Sequence, residues 1–327
     1  MQEGAHLGLR AWHSPTGAGS LAYVETAGCR VVAGAPRVRG GDPAAVFAEF
    51  ADDCTRHGLR RVHFGLPGPM RASLGKPASH LRIGDLPLFD LNRWRHDASM
   101  PSGIRAQAHR APRRGVAVRF LPHPPGDPRS LRACLQGWLR AKSLPPLGFL
   151  TTPFLLDPWP QEGVWVAERG NVTVGFLASS RVLFGGTLRV DAVGRAPDAP
   201  NGTTELPVVE AFRAAAERGV TRATLGLAPL ARRAGLHDRG AKAAIHEAVS
   251  ALSRRLLSPL YSFEGLESYK AKFAPDDWLP LYCSAPGRFV GPRDVLAIAR
   301  AFAGGSLRAY AARSLAWRLG FRSIAHR

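Results

Sequence analysis

The chain has 327 residues, 45% of them hydrophobic and 21% charged, a globular balance with more length than one hydrophobic core usually serves. Its formal net charge of +19 favours polyanionic partners, nucleic acid or anionic lipid, without choosing between them, and arginine-rich usage is also what a GC-rich genome produces. Four scattered cysteines (Cys29, Cys54, Cys134, Cys283) with no C-x-x-C pair argue against a disulfide framework or a cysteine zinc site and fit a reducing cytoplasm.

No stretch approaches the roughly 20 apolar residues that span a bilayer, and "MQEGAHLGLRAWHS" has no signal-peptide pattern. A protein that is cytoplasmic, or peripheral on the inner face of the cell membrane, is expected. No His/Cys/Asp cluster has ligand spacing, so no metal is expected either.

In chain order, residues 20–39 read as two strands around a Gly-containing turn. Residues 42–58 read as a helix, with Asp42 as N-cap, Pro43 at the first position and Gly58 closing it. "RRVHFGLP" (60–67) and "GDLPLFDLNRW" (84–94) read as strands. Arg105, Arg110, Arg113 and Arg114 then concentrate charge, either as a solvated basic face or as a phosphate-contacting surface. Residues 127–142 read as a helix with Leu131, Leu135, Trp138 and Leu139 on one stripe. "LPPLG" (144–148) marks a boundary between lobes.

Beyond it, residues 163–182 read as a hairpin turning at Arg169-Gly170-Asn171, and 185–195 as a strand. Residues 199–220 read as a turn and a helix, capped by Thr203 or Thr204, with Glu205 and Pro207 in its first turn and Gly219 at its end. "RATLGLAPLA" (222–231) reads as a strand entering a loop, and 241–257 as a helix burying Ile245, Val249, Leu252 and Leu256. The order hairpin, strand, helix, strand occurs twice, which suggests two related α/β (or α+β) lobes in tandem.

The densest segment is "YSFEGLESYKAKFAPDDW" (261–278). Leu266, Tyr269 and Phe273 share a helical face, Lys270 projects from the same side, and Lys272 points away. The plain reading of Lys270 is a packed stem with its ammonium in water.

Three segments, "APNGTTEL" (199–206), "LGLAPLA" (225–231) and "YSFEGLESYKAKFAPDDWLPLY" (261–282), together resemble the C-terminal catalytic domain of the bacterial aminoacyl-phosphatidylglycerol synthases, the lysyl-phosphatidylglycerol or multiple-peptide-resistance family. The resemblance covers about residues 20–290 and is strong from 185 to 283. It implies two tandem acetyltransferase-type (GNAT) lobes, mixed sheets flanked by helices, at 1–145 and 146–290; the residues beyond, 291–327, read as a basic amphipathic helical tail. It also implies transfer of an amino acid from a charged tRNA to a hydroxyl of a membrane lipid such as phosphatidylglycerol. Neither metal nor coenzyme is needed, and the family's flippase segment is expected to be absent.

On that reading Lys270, Asp191, Glu205 and Arg195 carry the chemistry. Lys270 contacts a phosphate or the oxyanion, Arg195 a phosphate, and Asp191 and Glu205 hold the amino acid's ammonium or act as base. Asn201, Gly202, Tyr261, Glu264, Tyr269 and Lys272 bind substrate. The plain alternatives are a first-turn carboxylate for Glu205 and a loop arginine paired with Asp198 for Arg195. The sequence departs from the family pattern at Gly194 in the run Asp191-Ala-Val-Gly-Arg195, and at Glu205, Ala231 and Glu267, where Asp, Ser and Arg are common. These positions leave the amino acid and the lipid open.

Two other functions fit less well. An acyl-CoA N-acyltransferase needs a pyrophosphate-cradling loop that "RRAGLHDRGAK" (232–242) only approximates. A non-catalytic polyanion- or membrane-binding relative needs only the charge. Residues 306–327 are expected to form a helix on the membrane surface, with Leu307, Tyr310, Trp317, Phe321 and Ile324 as its apolar stripe. Charge reversal at Arg110 and Arg114 is expected to flatten the salt dependence of tRNA binding, measured by filter binding over a salt series; an unchanged slope places the tRNA elsewhere.

Overall fold

A computed structural model describes residues 9–75, 78–142, 144–149, 156, 159–182, 186–234, 263–287 and 289–318. The predicted helix at 241–257, Tyr261, and Phe321 and Ile324 of the expected membrane stripe lie outside them.

The described strands are β1 (Leu9–His13), β2 (Gly19–Thr26), β3 (Cys29–Ala33), β4 (Arg37–Val38), β5 (Arg60–Pro67), β6 (Ala78–Asp90), β7 (Val116–Leu121), β8 (Val164–Arg169), β9 (Val172–Val182), β10 (Thr187–Arg195), β11 (Arg222–Thr224), β12 (Ala228–Pro229) and β13 (Asp277–Pro286). They form one mixed sheet in the order β1-β2-β3-β5-β13-β6-β11-β10-β9-β8-β7, with β4 paired to β2 and β12 to β6. The described α-helices are α1 (Pro43–Arg56), α2 (Ser102–Arg113), α3 (Arg129–Arg140), α4 (Glu205–Glu217), α5 (Phe263–Ala271), α6 (Pro292–Phe302) and α7 (Leu307–Arg318).

Much of this follows from local chemistry. The β2–β3 turn puts Ala27 and Gly28 at positive φ, the geometry a two-residue hairpin requires. Asp42 caps α1 by accepting from the Ala44 amide at 2.9 Å. Val46, Phe47, Phe50 and Cys54 then fall on its buried face, and Gly58 leaves it at positive φ. The 169–171 turn is also as predicted.

Three expectations are corrected. The strand expected over 84–94 starts earlier and stops at Asp90, whose carboxylate accepts from the Asn92 amide and starts a 3₁₀ turn over Leu91–Trp94. Neither threonine caps α4 through its side chain: Thr204 occupies the N-cap without such a bond, and the Thr203 hydroxyl donates to the Pro200 carbonyl at 2.7 Å. The stripe on the last helix packs partly against the chain. Tyr310 Oη donates to the Pro145 carbonyl at 3.0 Å, and Trp317 Nε1 donates to the Lys142 carbonyl at 2.9 Å.

The duplicated order is visible in the pairing. β2 and β3 are antiparallel, α1 follows, and β5 returns parallel to β3. β9 and β10 are antiparallel, α4 follows, and β11 returns parallel to β10. The next strand of each unit is exchanged: β13 lies beside β5, and β6 lies beside β11. β7, from before residue 146, closes the far edge against β8.

Around the second unit the core joins Phe89, Trp94, Ile104, Phe212 and Phe273. The Trp94 and Phe212 rings meet edge to face at 5.0 Å. Around the first unit α1 packs on one face, and α6 on the other covers Val31, Val62 and Cys283.

At Gly84 φ is 149°, and a Cβ there would lie 2.2 Å from the Ala228 carbonyl oxygen. Both strain and the close β6–β12 approach therefore demand glycine. Gly84→Ala is expected to lower stability by about 2 kcal/mol or more; a urea midpoint matching that of the wild type would contradict this.

Candidate functional site

The site forms where the second unit's sheet parts. β10 and β11 pair only through Leu188–Ala223 and Arg189–Thr224. β10 then runs on to Arg195 with β9 as its ladder partner, past an irregularity at Val190/Ala192. The chain leaves β11 through Leu225, Gly226 and Leu227, with Gly226 at positive φ, and pairs with β6 as β12.

Lys270 fills this parting from α5. It is 5% exposed, and its Nζ donates to the Gly226 carbonyl at 2.8 Å and the Leu227 carbonyl at 2.6 Å. Its partners are thus two carbonyls rather than water or an anion. Burial pushes its pKa down from 10.5 to about 7, because a charged amine is poorly solvated there. An uncharged amine has two N–H bonds, one for each carbonyl, and keeps a lone pair.

The second cluster lies at the start of α4. Glu205 is 7% exposed and forms an ion pair with Lys272. Thr204 Oγ1 donates to its other oxygen at 2.9 Å. Burial pushes the Glu205 carboxyl up, but the bond and charge of Lys272 and the Thr204 bond outweigh it, so the net shift is downward. Lys272 therefore does not point away as expected. α5 ends at Ala271, and the chain beyond turns the side chain back over the Tyr269 ring, 4.0 Å from its centre. Tyr269 Oη is 3.4 Å from the Thr204 carbonyl, and burial with the nearby Glu205 charge holds its hydroxyl protonated.

The other expected residues divide. Asp191 lies on β10 just beyond the parting, where its Oδ1 accepts from Arg189 Nε at 2.6 Å and Ser180 Oγ at 3.1 Å. Arg195 donates to the Ala199 carbonyl at 3.0 Å, the partner that replaces the Asp198 considered from sequence. Asn201 is exposed, while Gly202 is buried at positive φ. A Cβ on Gly202 would lie 2.3 Å from the Gln107 carbonyl oxygen of α2. Glu264 is exposed on the first turn of α5.

α2 runs antiparallel to α4, since Asp97 before it pairs with Arg213 while Gln107 and Ala111 meet Gly202. This sets its basic end, with Arg110, Arg113 and Arg114 exposed, toward the α4 N-terminus. Arg105 instead donates to the Asp97 carbonyl at 3.2 Å.

Sequence reasoning missed Arg82 and Asp85. Ile83 is an extra residue in β6, between Arg82 opposite Tyr282 and Gly84 opposite Leu281. This bulge brings side chains three apart onto one side. Arg82 is 5% exposed and Asp85 fully buried, and they form a salt bridge at 2.6 Å. Asp85 also accepts from the Arg233 and Ala234 amides at 2.5 and 3.0 Å, fixing the chain that leaves β12. An isolated Arg-x-x-Asp in a strand was the only signal available. Among the described residues, no group of three His, Cys, Asp or Glu side chains is placed to hold a metal ion.

A family model described as "Phosphatidylglycerol lysyltransferase, C-terminal" matches residues 8–285. The chain belongs to this family.

Among curated relatives of the chain is the lysylphosphatidylglycerol biosynthesis bifunctional protein LysX of Mycolicibacterium gilvum. It is 28% identical over 85% of this chain and 25% of its own length. The phosphatidylglycerol lysyltransferase of Bacillus subtilis is 25% identical over 83% of this chain and 32% of its own length. The chain thus spans about a fifth to a third of the length of the curated relatives it matches. The fold is shared with the L-PGS structure from Bacillus licheniformis, at TM-score 0.70 and 20% identity over 92% of this chain and 91% of that one. It is also shared with a C-terminal DUF2156 domain from Agrobacterium fabrum, at TM-score 0.75 and 20% identity over 94% and 95%.

The departures from the family pattern now have physical settings. A Cβ at Gly194 would lie 2.5 Å from the Phe176 ring and 2.8 Å from Trp138, so no side chain fits at that position while both rings stay. Ala231 is buried. Glu267 pairs with Arg233 at 2.6 Å, beside the loop that Asp85 holds.

The pKa of Lys270 has a sign consequence for stability. Between about pH 7 and pH 10 the unfolded chain keeps the lysine proton that the folded chain has lost, so this group makes stability rise with pH. Lys270→Met is expected to remove that rise. Urea titrations of both proteins across this range check it; parallel curves would show that the amine stays charged when folded.

Proposed function

We propose that the chain transfers an aminoacyl group from a charged tRNA to a hydroxyl of an anionic membrane phospholipid such as phosphatidylglycerol, with no cofactor beyond the aminoacyl-tRNA donor. The observation that carries this is Lys270, a buried amine of near-neutral pKa at the parting of the sheet, inside the segment that carries the family resemblance. Its lone pair takes the proton of the acceptor hydroxyl as that oxygen attacks the aminoacyl carbonyl. A new ester C–O bond forms, the bond to the tRNA ribose breaks, and the ribose oxygen takes the proton back. Both substrates are esters or alcohols, so no oxidant or reductant is needed.

Around this base, both side-chain bonds to Asp191 fall on Oδ1, and its second oxygen is our choice for the ammonium of the amino acid. The Glu205–Lys272 pair shapes the adjoining wall, with Lys272 half in solvent and available to a phosphate. Arg110, Arg113 and Arg114 are our choice for the tRNA backbone. No described helix is long and apolar enough to cross a membrane. We place the encounter with lipid at the inner face of the cell membrane, where charged tRNA is available.

Purified protein mixed with charged tRNA and phosphatidylglycerol vesicles should give an aminoacylated lipid by mass spectrometry. Product only with acyl-CoA and an amine would overturn the reading in favour of an N-acyltransferase. In the wild type, kcat should rise through about pH 7 as Lys270 loses its proton. Lys270→Met should lower it by about 10²-fold or more, within the range of general-base catalysis. A variant with unchanged rate and profile would remove Lys270 from the chemistry.

A further inference from the structure

Five of the seven large hydrophobic residues exposed among the described ones lie within 27 residues at the C-terminal end: Phe289, Val295, Leu296, Leu307 and Leu315. These residues follow the family match, which ends at 285. α6 shows how they arise. Its inward side carries Asp294, Ala297 and Ala301 against the first unit. Its outward side carries Pro292, Val295, Leu296 and Ala299, at the i, i+3, i+4, i+7 spacing of one helical face. A solvent-facing side should be polar; here it is apolar, and Phe289 just before it is 77% exposed.

Charge says what covers this face. Residues 287–327 contain eight arginines and a single acid, Asp294. That acid is 1% exposed and turned inward, where it binds Arg60 at 2.8 Å. Arg293 and Arg300 flank the apolar face. Arg300 and Arg308, with Gly305, Ser306 and Leu307, line a surface pocket of about 550 Å³ between α6 and α7. Apolar side chains flanked by guanidiniums that meet no carboxylate among the described residues match an anionic lipid surface, with acyl chains for the first and phosphates for the second. A second copy would set these charges against each other, and RNA would leave Val295 and Leu296 uncovered.

We propose that the outward face of α6, with Phe289 before it and the Arg300–Arg308 pocket beside it, docks on an anionic lipid bilayer. The part of the last helix expected from sequence to lie on the membrane packs against Lys142 and Pro145 through Trp317 and Tyr310; α6 takes over that role. The surface is separate from the transfer site, and the proposal does not rest on the reaction assigned there.

The test is co-sedimentation of the full chain with vesicles of phosphatidylcholine alone or with about one third phosphatidylglycerol, the range in which surface charge holds basic segments. The wild type should bind the anionic vesicles and not the neutral ones. Phe289→Ser/Val295→Ser/Leu296→Ser should reduce binding about tenfold or more, and Arg293→Glu/Arg300→Glu/Arg308→Glu should do the same at low salt. Unchanged circular dichroism and melting would show that both variants fold. Transfer to a water-soluble short-chain acceptor should be unchanged in them, which separates loss of attachment from loss of chemistry. Equal binding of wild type and variants, or equal binding to neutral vesicles, overturns the proposal. So does a wild-type dimer that the serine variant converts to monomer without loss of vesicle binding.

Discussion

The antiparallel pairing of β6 with β13 holds the two halves of the sheet in register, from Asp277 opposite Leu88 to Pro286 opposite Ala78. Their partners lie far apart in the chain, so the pairing closes a very long loop, although closure entropy grows only slowly with length. Burial offsets it, since Pro280 to Ala285 are all buried. Each of the two strands also completes the other unit, β13 beside β5 and β6 beside β11. Loss of the central pair would expose the inner edges of both units. The bulge at Ile83 sits in the same ladder, so the pairing that joins the halves also aims Arg82 and Asp85 at the chain leaving β12, at Arg233 and Ala234.

The buried charges of this protein are handled in two ways. Arg82 with Asp85, Arg30 with Asp53 and Arg60 with Asp294 are answered by opposite charges, the arrangement that makes a buried ion tolerable. Lys270 is answered by two neutral carbonyls. Dipoles solvate an ammonium less well than a carboxylate would, so the proton leaves near neutrality. The difference separates side chains that fix the fold from one whose protonation can change during a reaction.

The elements written in local code were legible: α1 from Asp42, Pro43 and Gly58, the hairpin at 169–171, α4 from its apolar face and Gly219, and the doubled strand order. The site was legible in part, because Tyr269 and Lys270 fall in one quoted segment and Glu205 in another. What could not be read depends on long-range register. The reciprocal placement of β6 and β13 is chosen by tertiary pairing, and neither strand's own pattern distinguishes its two candidate neighbours. The Ile83 bulge is invisible without the opposing strand, and with it the partnership of Arg82 and Asp85. Helical periodicity put Lys272 on the outer side, but α5 stops one residue earlier. Tyr310 and Trp317 follow the spacing of a membrane stripe equally well when they hydrogen-bond to carbonyls at 142–145.

The placement of β13 also sets an order of events on the ribosome. Residues 9–67 emerge with β1, β2, β3, α1 and β5, enough to pair among themselves, yet the outer edge of β5 waits for a strand about 210 residues later. At 5–20 residues per second that wait is about 10 to 40 seconds. During it, an open strand edge flanked by Val62 and Phe64 is available to a chaperone, or to the same edge on another nascent chain. β6 offers a temporary occupant, since it follows β5 directly and pairs with the same partner strand in the finished sheet. Completion of the chain would then displace it by one position. Expression yield should thus depend on how quickly the last third is translated, a sensitivity that nothing in the final contacts reveals.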